Sequence, residues 1–298
     1  MFWIAHVDGL PLRKLADQNK ISPAKAFRQV EREMNKLPEN TYVSATFCNR
    51  WSGVLNLDGK YIKVRGYPKK IPFIYAIDFP THDIPVGILA PSENVFAFRK
   101  LFRLLKSVNY PLKVIICDDS SAIKIALRET YPKAKIQLCH NHYFENIRES
   151  LKVRTDTTYQ PFFSDLKKAL IPKYHPLKQE AKLSHVNYFH ARKDDVLLSI
   201  MADLIKRDDE LFTYKDFLNC PNTNNLIESY NSHLKGRLKT IKGFDSFGSA
   251  ERWLNAWMIR RRTKKFTDCT KPFKHLNGYS SIEKTLKKDL HWSSIFDV

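Results

Sequence analysis

The chain has 298 residues, long enough for a large core plus one or two smaller modules. Its 50 lysines and arginines against 31 acids give a formal charge of +19, which speaks of partners rather than fold and makes nucleic acid the first candidate. No run approaches the ~20 apolar residues needed to span a bilayer, and the start meets Asp8 too early for a signal peptide. Five scattered cysteines favour a reducing compartment over a disulfide framework. The expectation is a cytoplasmic protein, nucleoid-associated if bacterial, with no membrane partner.

Residues 10 to 35 read as two short helices around a tight turn. Leu12, Leu15 and Ala16 give the first its apolar side. Asn19 and Lys20 make the turn, Ile21 plugs it, and Ser22-Pro23 caps and starts the second helix. Ala26, Phe27, Val30 and Met34 face inward. The run resembles a helix-turn-helix whose second helix would present Lys25, Arg28, Gln29 and Arg32 to a major groove. Lys20 stands where that motif usually has glycine, so Asn19 or Lys20 must carry any positive φ. A plain helical hairpin is the other reading. Pro38-Glu39-Asn40 ends this first module, 1–40.

From Gly53 the period shifts to strands. Val54, Leu55 and Leu57 run into an Asp58-Gly59-Lys60 turn, Tyr61–Arg65 alternates, and Ile71–Phe79 is a third candidate, which together suggest an antiparallel meander. Ser92 can cap a helix from Glu93 to Val108. Residues 113–117 form a short apolar strand ending in Asp118-Asp119, followed by a helix over 120–130 and a strand over 134–138. Cys139-His140-Asn141-His142 comes next, with His140 expected to be partly exposed. Residues 143–220 are polar, basic and helical, broken by Pro161, Pro172 and Pro176, and read as an insertion. Residues 221–262 return to the core with two helices. In the first, Leu226–Lys242, Ile227, Tyr230, Leu234, Leu238 and Ile241 recur on one face, while Glu228, Asn231, Lys235, Lys239 and Lys242 share an adjoining stripe. The second, 249–262, turns Trp253, Trp257 and Met258 to one side and runs into Arg260–Lys265, either a solvated helix end or a phosphate contact. Residues 263–298 are a basic tail with a short final helix.

Three acids stand out by context: Asp58 and Asp118 at strand ends, and Glu228 on a helix. Strand-end carboxylates of a mixed sheet can converge at one edge. Three together repel unless a cation neutralises them, and hard oxygen ligands select Mg²⁺ or Mn²⁺. Two such ions about 4 Å apart suit phosphodiester chemistry.

Four segments occur in order: Leu-Asp-Gly-Lys at 57–60, Ile-Cys-Asp-Asp-Ser-Ser-Ala at 116–122, Tyr-Pro-Lys-Ala-Lys-Ile-Gln-Leu-Cys-His-Asn-His at 131–142, and Asn-Asn-Leu-Ile-Glu-Ser-Tyr-Asn-Ser-His-Leu-Lys at 224–235. As a set they resemble the DDE transposases of the Mutator-like superfamily and their bacterial insertion-sequence relatives, over most of the chain. The resemblance implies an α/β, RNase H-like mixed-sheet core in two parts, 41–142 and 221–262, with the helical insertion between them. Asp58, Asp118 and Glu228 match the catalytic, metal-binding acids, which would hold two Mg²⁺ or Mn²⁺ ions. The family usually has Asp-Gly at the second acid. Here Asp119 takes the glycine place, which leaves a register with Asp119 as ligand open.

Cys139 and His142 match the family's Cys-x-x-His signature. They supply two ligands where a structural zinc wants four, and Cys117, Cys220 and His140 lack a completing spacing. Zinc is therefore disfavoured, and a supporting role steadying the acid-bearing strand is expected. Many relatives carry a zinc ribbon before the helix-turn-helix; this sequence starts almost at that motif. The implied activity is metal-dependent cleavage of element ends and strand transfer into target DNA. The implied partners are double-stranded DNA, as terminal inverted repeats and target, and a second copy of the chain or more in a synaptic complex. Lys235, Lys239 and Lys242 would hold phosphates beside the metals. The rival readings are a non-catalytic DNA-binding regulator or remnant, and a nuclease of the same fold that cuts without joining.

Overall fold

The computed structural model describes residues 1–172 and 175–296. The chain folds into two compact units. One comprises Met1–Ile115, Ser120–Ala134 and the stretch from Asn225 on; the other comprises Ile116–Asp119 and Lys135–Asn224.

The first unit opens with four helices: α1 (Phe2–Val7), α2 (Leu12–Gln18), α3 (Pro23–Met34) and α4 (Asn40–Phe47). The α2–α3 turn follows the sequence chemistry. Lys20 takes the left-handed backbone with φ 53°, and Ser22 Oγ accepts the Lys25 N–H at 3.2 Å to cap α3. Ala26, Val30 and Met34 are buried, one per turn, but Phe27 is 47% exposed rather than inward. It lies 100° from Ala26, off the edge of a stripe set by steps of four. Helices α1 and α4 are too short for periodicity to reveal.

The largest difference from expectation lies at Asp58. Strand β1 (Val54–Ile62) runs unbroken through Asp58-Gly59-Lys60, where the sequence suggested a turn. It pairs antiparallel with β2 (Ile71–Asp78), Asp58 opposite Tyr75, and β2 pairs antiparallel with β3 (Gly87–Leu89). Helix α5 (Val95–Ser107) is capped by Asn94, whose side chain accepts the Ala97 N–H, rather than by Ser92. Strand β4 (Val114–Cys117), helix α6 (Ser121–Thr130) and strand β5 (Lys135–Leu138) follow as read. The result is a mixed five-stranded sheet in the order β3-β2-β1-β4-β5. Gly53 opens β1 at φ 88°, and its carbonyl accepts the N–H groups of Lys113 and Val114, which sets β4 beside β1.

The second unit is built around β5 by α7 (His140–Ser150), α8 (Gln160–Ala169), α9 (Pro176–Val186), α10 (Asp195–Lys206) and α11 (Asp208–Leu211). Pro161 and Pro176, read as breaks, occupy the first turns of α8 and α9, where a missing N–H costs nothing. Leu138, Phe162, Phe163, Leu166, Leu204 and Leu211 belong to one core. The buried Gln137 amide donates to Leu211 O at 2.9 Å and accepts from Tyr214 N at 2.7 Å, replacing water for each group.

The chain returns to the first unit with α12 (Asn225–Ile241), then α13 (Phe247–Thr263) and α14 (Ser281–Thr285). Ile227, Tyr230 and Leu234 seat α12, while Leu238 and Ile241 are only half-buried. Beyond its end, Phe244 rejoins β1's continuation: its N–H donates to Lys63 O at 2.9 Å and its carbonyl accepts from Arg65 N at 2.8 Å. Within the basic run, Lys264 and Lys265 are exposed, while each of the three arginines at 260–262 has a partner in the fold. Arg260 pairs with Asp8 at 2.6 Å, Arg261 stacks 4.3 Å above the Tyr230 ring, and Arg262 is fully buried against Asp83. Helix α14 is stitched in as well, since Thr285 donates to Asp83 and the Thr285 carbonyl accepts from the N–H groups of Asn49 and Arg50. No helix among the described residues is long and apolar enough to cross a membrane.

Candidate active site

In the first unit Asp58 sits in mid-strand, half-buried. A carboxylate is tolerated there because donors meet it: the Gly59 N–H reaches Oδ1 at 2.7 Å, and the Asn231 side-chain amide reaches Oδ2 at 2.7 Å. Asn231 belongs to α12, three residues after Glu228, so Glu228 stands one turn away on the stripe that reaches Asp58. Glu228 lies in the first turn of α12, where the helix dipole favours an acid, and is half-buried. Tyr75 completes the group, its O–H donating to Asn231 Oδ1 at 3.0 Å. Burial and the Asp58 charge hold the Tyr75 phenol well above its usual pKa, so it remains a donor. Asn231 is visible in sequence as a neighbour of Glu228 on one stripe; Tyr75 is not, because a strand that ends at Asp58 gives no sign of the Asp58–Tyr75 pairing.

In the second unit Asp118 immediately follows β4, and Cys139, His140 and His142 follow β5. Cys139 N–H donates to the Cys117 carbonyl at 2.9 Å, which ties the two segments together. His142 Nδ1 lies 2.6 Å from Asp118 Oδ1. The hydrogen bond to Asp118, then one to Cys139, push the imidazole up to about 11 against the opposing effect of burial. Cys139 Sγ also accepts the Asn224 N–H at 3.2 Å. Asp119 points elsewhere, in an ion pair with Arg207, which Asp203 also holds at 2.8 Å. His140 is not exposed: at 2% exposure it bonds Leu211 O at 2.8 Å and the Asn222 amide at 3.0 Å. It is a core histidine.

The basic positions remain at the surface. Lys25, Arg28 and Arg32 are exposed on α3, while Gln29 donates to Glu33 Oε1 at 3.0 Å. Lys235 and Lys239 are exposed along α12, and Lys242, also exposed, follows its end with φ 61°.

Fold and site together define a basic α/β protein whose acids lie on a central strand, at a strand end and on a late helix. The family described as "Transposase, Mutator family" matches residues 40–266, and the chain belongs to it. The chain is also similar to the transposase for insertion sequence element IS1201 of Lactobacillus helveticus, 24% identical over 174 residues. That match takes in 56% of this chain and 44% of the relative, so the chain spans less than half the relative's length.

Proposed function

We propose that the chain is a DDE-type DNA transposase with Asp58, Asp118 and Glu228 as its catalytic carboxylates. The observation that carries the reading is the Asp58–Asn231 hydrogen bond, which ties the acid of β1 to the helix that bears Glu228 one turn away. The sheet order β3-β2-β1-β4-β5 supports an RNase H-like core. Commitment of Asp119 to Arg207 favours Asp118 as the second acid.

The donor set is all carboxylate oxygen, which fits Mg²⁺ or Mn²⁺ and not zinc. Two such ions would activate the attacking oxygen and stabilise the leaving oxygen of a phosphodiester. The chain's own contribution is placement. Gly59 N–H and Asn231 orient Asp58, and His142 steadies Asp118. Lys235, Lys239 and Lys242 offer cations to the DNA backbone, and Lys25, Arg28 and Arg32 would meet the terminal inverted repeats as a helix-turn-helix face, with Gln29 reading bases once released from Glu33. A homodimer or larger synaptic assembly would hold two DNA ends.

The test is Mg²⁺- or Mn²⁺-dependent nicking of a supercoiled plasmid carrying the gene's flanking DNA. Asp58→Asn, Asp118→Asn and Glu228→Gln abolish nicking, while Asp119→Asn retains it. Joined products separate a transposase from a nuclease that only cuts. Salt-sensitive DNA binding without nicking by the wild type would replace the proposal with the regulator reading.

A further inference from the structure

The contacts around Asn231 go beyond seating a helix. It is 7% exposed and makes two side-chain hydrogen bonds of opposite sense: its NH₂ donates to Asp58 Oδ2 and its carbonyl accepts from Tyr75 O–H. An amide can rotate by 180° and exchange its oxygen and nitrogen. Here a rotation would set the amide oxygen against a carboxylate, and so swap an attraction for a repulsion between acceptors. Tyr75 reinforces the same orientation. It is fully buried, stacked at 4.9 Å on Phe73 and edge-on to Trp257 at 5.5 Å. Its ring therefore has one place to be, and that place is cross-strand from Asp58. The relay Tyr75–Asn231–Asp58 thus begins and ends on adjacent strands and passes through α12.

We propose that Asn231 is a positioning residue: with its amide locked by Tyr75, it fixes the plane of the Asp58 carboxylate and its register with the helix that carries Glu228. This rests on reading Asp58 and Glu228 as metal ligands. The bonds from Gly59 N–H and Asn231 meet different oxygens of the carboxylate, Oδ1 and Oδ2, and together they orient it. Helix α12 does not need Asn231 for docking, because Ile227, Tyr230 and Leu234 are buried along it. Loss of the amide therefore loosens the carboxylate without releasing the helix. Groups that orient a metal ligand typically contribute about 10- to 100-fold in metal affinity or activity.

The experiment titrates Mn²⁺ into the full chain and reads the free ion by electron paramagnetic resonance. Melting temperature in EDTA serves as the folding control. Asn231→Leu keeps the side chain's size and removes both bonds. It should weaken Mn²⁺ binding by roughly 10- to 100-fold with the EDTA melting temperature near wild type. Tyr75→Phe leaves the Asn231–Asp58 bond in place and unlocks the amide, so it should weaken binding in the same direction by less. Wild-type Mn²⁺ affinity in Asn231→Leu, beside lost affinity in Asp58→Asn, overturns the positioning role and leaves the metal-site reading standing. Wild-type affinity in Asp58→Asn overturns both. If Asn231→Leu does not fold, Tyr75→Phe decides, and wild-type affinity there overturns the proposal.

Discussion

Arg262 and Asp83 make the sharpest stability prediction. Both side chains are fully buried. Arg262 Nε and Nη2 donate to the two oxygens of Asp83 at 2.9 Å each, Nη1 donates to Asn40 Oδ1 and Ser44 Oγ at 2.9 Å, and Nη2 also meets Cys48 Sγ at 3.2 Å. Asp83 accepts further from Ser281 at 3.0 Å and from Thr285 at 2.5 Å. The Asp83→Asn change keeps the volume but leaves a guanidinium without its counter-charge in a site water does not reach. Breaking one side of such a pair costs about 3–5 kcal/mol, or roughly 6–20 °C in melting temperature at this unit size. Arg262→Met should cost about as much, since it strands the carboxylate on two hydroxyls. The double variant Asp83→Asn/Arg262→Met should be well short of the sum, with a coupling of at least about 1 kcal/mol. Thermal and urea unfolding of the four proteins completes the cycle. A single Asp83→Asn change within about 0.5 kcal/mol of wild type, or additive effects, would refute the argument.

Acid should weaken the fold through His82. Burial, then repulsion from Arg261 and His275, lower its imidazole from 6.5 to about 4, while its ring packs against Phe273 at 4.3 Å and Phe266 at 5.7 Å. The folded state prefers the neutral ring and the unfolded state takes a proton first, so stability falls as pH drops from about 6.5 to about 4 and the loss saturates below that, at up to about 3 kcal/mol. His82→Asn suits the left-handed backbone there, φ 58°, and should flatten that part of the pH–stability curve; an unchanged curve counts against the assignment. For DNA binding, alanine at Lys25, Arg28 or Arg32 should weaken affinity for any sequence and lower the log–log salt slope by about 1 for each phosphate contact removed. A mobility-shift series over salt measures this, and an unaltered slope would remove α3 from the DNA interface.

Long periodic segments were legible in the sequence: α3, α5, α12 and α13 bury enough turns for a 3.6-residue rhythm to show. Asp58 was legible as a special residue but misplaced within its strand. Asp-Gly-Lys has turn chemistry in isolation, and what keeps it extended is pairing with β2 and an amide from a helix some 170 residues later. The partners of the arginines at 260–262 are hidden from the sequence for a related reason. Charge patterning sees like charges in a row, whereas successive helical residues point 100° apart and meet Asp8, Tyr230 and Asp83 separately. His140 shows the same limit, because its burial depends on Leu211 and Asn222, which no local window contains.

The double attachment of α12 to β1 has an evolutionary consequence. The helix is pinned in mid-length by Asn231 on Asp58 and just past its end by Phe244 on Lys63 and Arg65. One anchor lies on β1 and the other on the residues just past its end, so the address of Glu228 is written into that stretch of chain and not into the 80-odd residues that precede the helix. Segments of different length or content could be spliced between β5 and α12 and leave that address unchanged. The intervening helices are then free to diversify while the acids of the first unit stay in register.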